Sequence, residues 1–347
     1  MSLEQQDRCN FDDEIEETWV VITSINPLRQ RYLDYLNLEW NVVIVADMKT
    51  PVDSLQELKS DNFHVLTIEM QDKYFPVLSR LIPYNSYSRK NLGYLYAAMR
   101  GATKIWDTDD DTFIRSQFLQ ESFLSNFTDI CLVKGSNVFN PYEFFALNAR
   151  LWPRGYPLNL VLKNEKSYES IQSNLDISYL EKIDVIQTLV NLCPDVDAIY
   201  RLTVSNSEFN FNGTRELLLI EPPLVAPGNT QSTLWMKNSS FLWTYIPSTL
   251  TFRFCDIFRS YVLQSNCKVA YAGFVSEQFR NPHNLMEDFA SEIECYLSVE
   301  ELIELIRQNS RKSLYEVYHS LSQRGLISSD ELQIVAEYQL AFQKLIQ

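Results

Sequence analysis

Through its first hundred residues the chain alternates short apolar, largely β-branched runs with helical periodicity. Trp19-Val20-Val21-Ile22-Thr23-Ser24-Ile25 reads as a strand, the region Arg29–Leu38 as a helix, and Asn41–Ala46 as a second strand. A helix near Val52–Ser60 and a strand at Phe63–Ile68 follow. This alternation builds βαβ units and a mostly parallel sheet flanked by helices, an α/β fold. A longer helix is predicted across Ser86–Arg100, where Leu92, Leu95, Tyr96 and Met99 recur at three- and four-residue spacing. Gly101 ends it, and the strand Lys104-Ile105-Trp106 comes next. Beyond Phe113 the pattern predicts strands at Ile130–Lys134, Ala198–Thr203, Leu217–Ile220 and Lys268–Phe274, and helices near Ile183–Leu192 and Phe254–Gln264. From Val299 to Gln347 all is helical in period, with Leu302, Leu305 and Ile306, then Leu314, Val317, Tyr318 and Leu321. The division expected is a polar tail (1–17), a main domain (18–296) with halves 18–113 and 114–296, and a C-terminal helical module (297–347).

Composition narrows the class. At 347 residues the chain exceeds one small domain, and 46% hydrophobic with 22% charged residues is a globular balance. No apolar run approaches ~18 residues, so no transmembrane segment is expected. A net charge of −15 argues against nucleic acid as a partner, because binding to phosphate backbones needs clustered Lys and Arg. The 8 glycines are spread so widely that the dinucleotide fingerprint and the P-loop are both absent. Phosphates, if bound, are held by another device. Cys9, Cys131, Cys193, Cys255, Cys267 and Cys295 are scattered with no C-x-x-C pair, which removes zinc-ribbon and thioredoxin-like readings. Met1 to Glu17 is polar and acidic, unlike a signal peptide, so a cytoplasmic location is expected for the chain as given. Sequons at Asn126, Asn212 and Asn238 matter only if an anchor precedes it.

The candidate chemistry sits after the strand Lys104-Ile105-Trp106, in Asp107-Thr108-Asp109-Asp110-Asp111-Thr112. Like charges gathered at a strand end raise one another's pKa unless a cation joins them. Oxygen-only ligands suit Mg²⁺ or Mn²⁺, and the carboxyl ends of parallel strands are where such folds bind ligands. The alternative is a solvated acidic turn capping a helix at 112–118. Upstream, Arg89 and Lys90 stand in the first turn of the predicted helix, against the macrodipole preference, as though an anion were bound there. Together with Asp109 and Asp111 and a divalent ion they would clamp a diphosphate; the alternative is pairing with nearby acids.

The run Ile82-Pro83-Tyr84-Asn85-Ser86-Tyr87-Ser88-Arg89-Lys90-Asn91-Leu92-Gly93-Tyr94-Leu95-Tyr96, followed by Thr108-Asp109-Asp110-Asp111, closely resembles the STELLO glycosyltransferase-like family. Trp19 to Pro27, Trp40 to Asp47 with Lys49-Thr50-Pro51, Trp152 to Leu158, Pro194 to Leu202, Phe252 to Arg259 and Gln278 to Asn284 match its other blocks in order. A more distant similarity is to UDP-arabinopyranose mutases, the reversibly glycosylated proteins. The resemblance implies a GT-A-like fold, a D-x-D metal motif and metal-dependent transfer from a nucleotide sugar, with UDP-sugars foremost, to an unidentified glycan, protein or small-molecule acceptor. Plant members carry a membrane anchor and act in the Golgi in connection with cellulose synthase assembly, so the Golgi lumen is implied if such an anchor precedes this chain.

In that frame Asp111 is the expected metal ligand, Asp109 reaches the metal or ribose, and Asp110 makes supporting hydrogen bonds within the catalytic motif. Thr23, Ser24 and Asn26 after the first strand and Asp47 after the second would hold base and ribose, Asp47 being equally readable as a turn residue. His283 is expected as a late metal ligand and Arg280 as a second cation near the phosphates. Asp256, near a helix start, is either the base that deprotonates the acceptor hydroxyl, a helix cap, or a partner of Arg253 or Arg259. Trp152, Arg154, Asp195 and Asp197 are candidates for the acceptor side, although Trp152 and Tyr156 could be ordinary buried rings and Pro194-Asp195 a turn. Two other functions stay open: a nucleotide-sugar mutase or self-glycosylating protein, which needs an arginine placed to accept sugar, and a non-catalytic scaffold with the same fold.

Overall fold

The computed structural model describes residues 17–27, 29, 32–115, 127, 129–146, 150–163, 166–204, 208–211, 216–280 and 283–346. Most of the polar tail, Cys9, the sequons at Asn126 and Asn212, and positions 281–282 lie outside the described residues.

The elements in order are β1 (Thr18–Thr23), α1 (Tyr32–Leu36), β2 (Asn41–Val45), α2 (Val52–Leu55), β3 (Phe63–Leu66), α3 (Ile68–Tyr74), α4 (Pro76–Leu81), α5 (Lys90–Met99), β4 (Lys104–Thr108) and β5 (Thr112–Ile114). Then come β6 (Asp129–Lys134), α6 (Pro141–Phe145), α7 (Leu158–Val161), β7 (Ser170–Gln172), β8 (Val185–Asn191), α8 (Ala198–Thr203), β9 (Glu216–Ile220), β10 (Ser232–Trp235), α9 (Cys255–Val262) and β11 (Val269–Gln278). Helices α10 (Leu285–Gln308), α11 (Leu314–Gln323) and α12 (Glu331–Leu345) close the chain. The fold is α/β: one mixed sheet of 11 strands, ordered β3-β2-β1-β4-β10-β8-β11-β9-β6-β7 with β5 paired to β11. No described helix is long and apolar enough to cross a membrane.

β1 is apolar from Trp19 to Ile22 because the sheet is covered on both faces. Trp19 and Val21 pack on one side with Val43, Val45, Leu92 and Leu95, while Val20 and Ile22 pack on the other with Tyr32 and Tyr35. α5 lies so close to the sheet that a Cβ on Gly93 would stand 2.5 Å from Val45 and 2.7 Å from Val21, which explains a glycine in mid-helix. β1, β2, β3 and β4 run parallel. β10 is antiparallel to both β4 and β8, and β11 is parallel to β8. The carboxyl ends of β1, β2, β4, β8 and β11 therefore point the same way, and the residues that follow them meet at one edge.

Four elements differ from the sequence reading. The segment expected as a helix at Ile183–Leu192 is strand β8, every residue of it buried; its β-branched residues and full burial on both faces erase the alternation that marks a strand. The segment expected as a strand at Ala198–Thr203 is helix α8, started by Asp197, whose side chain accepts from Tyr200 N. Thr112–Ile114 is strand β5 rather than the start of a helix. β10, central in the sheet, was not read at all: Ser232-Thr233-Leu234-Trp235 is short and half polar.

α10 runs unbroken through the 296/297 division. The C-terminal helices are tied to the main body by buried Glu331, whose carboxylate accepts from Ser248 N at 3.0 Å, Thr249 N at 2.8 Å, Ser248 Oγ at 3.1 Å and the Tyr245 hydroxyl. Asn91 of α5 grips the same segment from the other side, through Ile246 O (2.7 Å) and Ile246 N (2.8 Å). Both anchors fix the stretch that leads to Phe252 and Arg253.

Candidate functional site

A cleft of about 470 Å³ opens where the strand ends meet. Thr23, Ser24, Asn26, Asp47, Arg89, Asp109, Asp110, Asp111, Arg154, Asp195, Asp256, Arg280 and His283 all line it; Lys90, Trp152 and Asp197 do not. The first and second strands contribute a braced rim. Thr50 Oγ1 accepts from Asp47 N (2.8 Å) and donates to Ser24 O (2.6 Å), and Asp47 accepts from Met48 N (2.7 Å) and Ser86 N (3.3 Å). Asp47 is thus a turn residue that still lines the cleft.

The three aspartates do different things. Asp110 Oδ2 accepts from Ser24 Oγ (2.5 Å) and Asn26 Nδ2 (2.6 Å), so those two side chains fasten the acidic loop to the end of β1. Asp109 accepts from the Tyr87 hydroxyl, which also donates to Thr230 Oγ1 (2.7 Å) as an alternative partner. Asp111 accepts from Gln278 Nε2 (3.1 Å). Burial and the neighbouring Asp111 push Asp109 up to about 7 even against the Lys90 charge, and burial also raises Asp111. Among the described residues no group of three or more His, Cys, Asp and Glu side chains is gathered for a metal ion, so His283 does not complete a set with Asp109 and Asp111. Two carboxylates whose ionised forms are disfavoured by burial nonetheless fit a divalent ion of the Mg²⁺ or Mn²⁺ kind, which takes one or two protein carboxylates and completes its shell with water and substrate phosphate.

The charged ends of the basic pair are taken up by protein groups. Arg89 is fully buried and turns into the corner between α3 and α4: Nε donates to Gln71 Oε1 (3.0 Å), Nη1 to Ser79 O (3.1 Å) and Ile82 O (3.0 Å), and Nη2 to Ser79 Oγ (3.0 Å) and Gln71. Lys90 Nζ lies 2.7 Å from Asp107 Oδ1 and donates to Thr108 O at 2.6 Å, with Asp109 at 3.6 Å. Asp107 in turn meets Arg259 Nη1 at 2.8 Å. Burial alone would lower the Arg259 pKa, but the Asp107 charge outweighs it and the net shift is upward. Lys90 from α5 and Arg259 from α9 thus support the acidic strand end from beneath, while Arg89 braces the corner between α3 and α4. The strand runs on through Asp107 to Thr108, beyond the end at Trp106 read from the sequence, and a carboxylate buried there must be paired.

On the other wall Arg154 is clasped by two carboxylates. Its Nε and Nη2 donate to Asp195 (2.9 and 2.8 Å), and its Nη1 and Nη2 to the two oxygens of Asp256 (2.9 Å each). Burial alone would raise Asp195; the charges of Arg154 and Arg253 hold it below its ordinary value. With both oxygens bonded to a guanidinium, Asp256 is poorly placed as a base, and its partner is Arg154 rather than Arg253 or Arg259. Asp288 ties the wall together, 2.8 Å from Arg280 and 3.3 Å from His283. Burial alone would raise Asp288, but the His283 hydrogen bond and the charges of Arg253 and Arg280 hold it at about 2.

Trp152 and Asp197 are structural. Asp197 Oδ2 accepts from Trp152 Nε1 (2.7 Å) and the Tyr296 hydroxyl (2.5 Å), which joins α8 to α10, and Tyr156 is buried as well. Trp152→Phe should therefore cost about 1–3 kcal/mol in a urea melt and leave ligand binding in the cleft unchanged; weakened nucleotide binding would return Trp152 to the site. The residues that sequence reasoning passed over are Tyr87, Thr230, Gln231, Phe252, Arg253 and Gln278, all in the lining. Tyr87, Phe252, Arg253 and Gln278 fall within the quoted family blocks, but only the packing shows that they meet.

No protein-family model matches the chain. Two curated proteins do, both from Arabidopsis thaliana: "Probable glycosyltransferase STELLO2" and "Probable glycosyltransferase STELLO1", each 26% identical over 268 residues and 71% of this chain. The chain is similar to both STELLO proteins over that stretch. It spans about a third of the length of these relatives, 33% of STELLO2 and 32% of STELLO1.

Proposed function

We propose that the cleft is the active site of a metal-dependent, GT-A-like glycosyltransferase that takes a nucleotide sugar as donor. The observation that carries this reading is the convergence of Asp109 and Asp111 on the cleft formed at the ends of β1 and β2, with Asp110 held in place by Ser24 and Asn26. Thr23 and Asp47 would meet the nucleoside. Asp109 and Asp111 would hold the divalent ion, and Tyr87 and Gln278 would fix their orientation. When bound, the ion supplies charge neutralisation to the diphosphate that leaves. The names of the two STELLO relatives support sugar transfer. The test is release of nucleoside diphosphate from a panel of UDP-, GDP- and ADP-sugars in Mn²⁺ or in EDTA. Turnover of at least one donor in Mn²⁺ alone is expected; no turnover from any of them would sink the reading.

A second reading, a self-glycosylating protein or mutase, is favoured by one observation: an arginine, Arg154, lines the cleft between Asp195 and Asp256. Attack of a guanidinium nitrogen on the sugar C1 would form a C–N bond, expel the nucleoside diphosphate, and pass the nitrogen's proton to one of the two carboxylates. The same two charges raise the Arg154 pKa well above its ordinary value despite burial, which opposes that step. A mass increment of one sugar on Arg154 after incubation with donor would support this reading over transfer to an external acceptor.

A further inference from the structure

Two guanidinium groups in the cleft wall leave N–H donors without a partner among the described residues. Arg253 is 7% exposed; Nε and Nη2 both donate to the same oxygen, Glu292 Oε1, at 2.9 and 2.7 Å. Its Nη1 has no hydrogen-bond partner among the described residues, the nearest carboxylate oxygen, on Asp195, being 3.9 Å away. Arg280 also lines the cleft and spends Nη2 on Asp288, which Arg253 approaches to 3.9 Å. Burial, with Arg253 and Arg201 nearby, lowers Arg280 to about 10. Forked guanidinium groups of this kind match oxyanions, and an added negative charge would relieve their mutual repulsion.

We infer that Arg253 and Arg280 form an oxyanion-binding subsite in this cleft, and that the oxyanion belongs to an acidic acceptor sugar of the uronic-acid class. The choice of acceptor rests on the transferase reading. Arg253 is wired to Asp195, Asp288 and Glu292 and Arg280 to Asp288, all in the second half of the chain, and neither pairs with the three aspartates of the acidic loop. Phe252, 59% exposed in the same lining, offers an apolar face to the C–H side of a sugar ring.

The test is calorimetric titration of the full chain with galacturonate, with galactose as the neutral control, in EDTA, and with UDP in Mn²⁺. Galacturonate should bind and galactose bind more weakly; Arg280→Gln should weaken galacturonate about tenfold or more while UDP is retained, and Arg280→Lys should recover part of the loss. If galacturonate fails to bind but Arg280→Gln weakens UDP about tenfold, the subsite stands and its oxyanion is the donor diphosphate, which overturns the acidic acceptor. If Arg280→Gln, folded by circular dichroism, changes neither ligand, or if it does not fold and Arg280→Lys changes neither, the subsite is overturned. Asp111→Asn separates this from the parent reading: it should lose UDP and keep galacturonate, and a wild-type chain that binds galacturonate but never UDP would end the nucleotide-sugar reading and leave the subsite intact.

Discussion

Asp107→Ala is expected to destabilise the fold by about 3–5 kcal/mol, read as the loss of midpoint in urea at constant slope. The carboxylate lies between two cations that are as buried as it is: Lys90 at 2.7 Å and Arg259 at 2.8 Å, with side-chain exposures of 0–2%. Removing it leaves two positive charges facing each other beneath the strand end, and among the described residues the nearest remaining carboxylate is Asp109, 3.6 Å from Lys90 and in no ion pair with Arg259. The same loss should disturb the cleft, because Lys90 also stands 3.6 Å from Asp109. A variant within about 1 kcal/mol of the wild type would show that water or a side-chain rearrangement replaces the missing charge, and the trio would no longer explain why α5 begins with Lys90.

Asp111→Ala is expected to lower nucleotide-sugar turnover by about 10²–10³-fold while leaving the urea midpoint nearly unchanged. Its partners are Gln278 and the adjacent Thr112, neither of them charged, so the fold depends on it far less than on Asp107. Burial already disfavours its ionised form, which is the state a divalent ion would restore. Turnover that survives in Asp111→Ala, measured as nucleoside diphosphate released per enzyme, would remove Asp111 from the site.

The contrast between these two aspartates, four residues apart, marks where the sequence was legible. The parallel strands of the first hundred residues and the place of the acidic run at a strand end could be read from apolar runs and their punctuation. So could the gathering of residues after β1, β2 and β4, since parallel strands that end together must present their following loops together. What could not be read was the division of labour among charges. A charge against the helix macrodipole looks the same in a sequence whether its counter-ion is a ligand or a buried strand carboxylate, and here Lys90 has the carboxylate and Arg89 has carbonyls and Gln71. Asp195 and Asp256 were visible as acids, but their common partner Arg154 is 41 and 102 positions away along the chain, respectively. The exchange of helix and strand at β8 and α8 has a simpler cause: a fully buried strand shows no alternation, and a six-residue helix shows too little period.

The most direct test of the proposal is thermal unfolding of the wild-type chain against a panel of nucleoside diphosphates in Mn²⁺ and in EDTA. A cleft that binds nucleotide through Asp109 and Asp111 predicts that at least one diphosphate, at 100 times its Kd, stabilises the protein by about 2.7 kcal/mol in Mn²⁺ and far less in EDTA. No stabilisation by any nucleotide, or stabilisation indifferent to the metal, would contradict it.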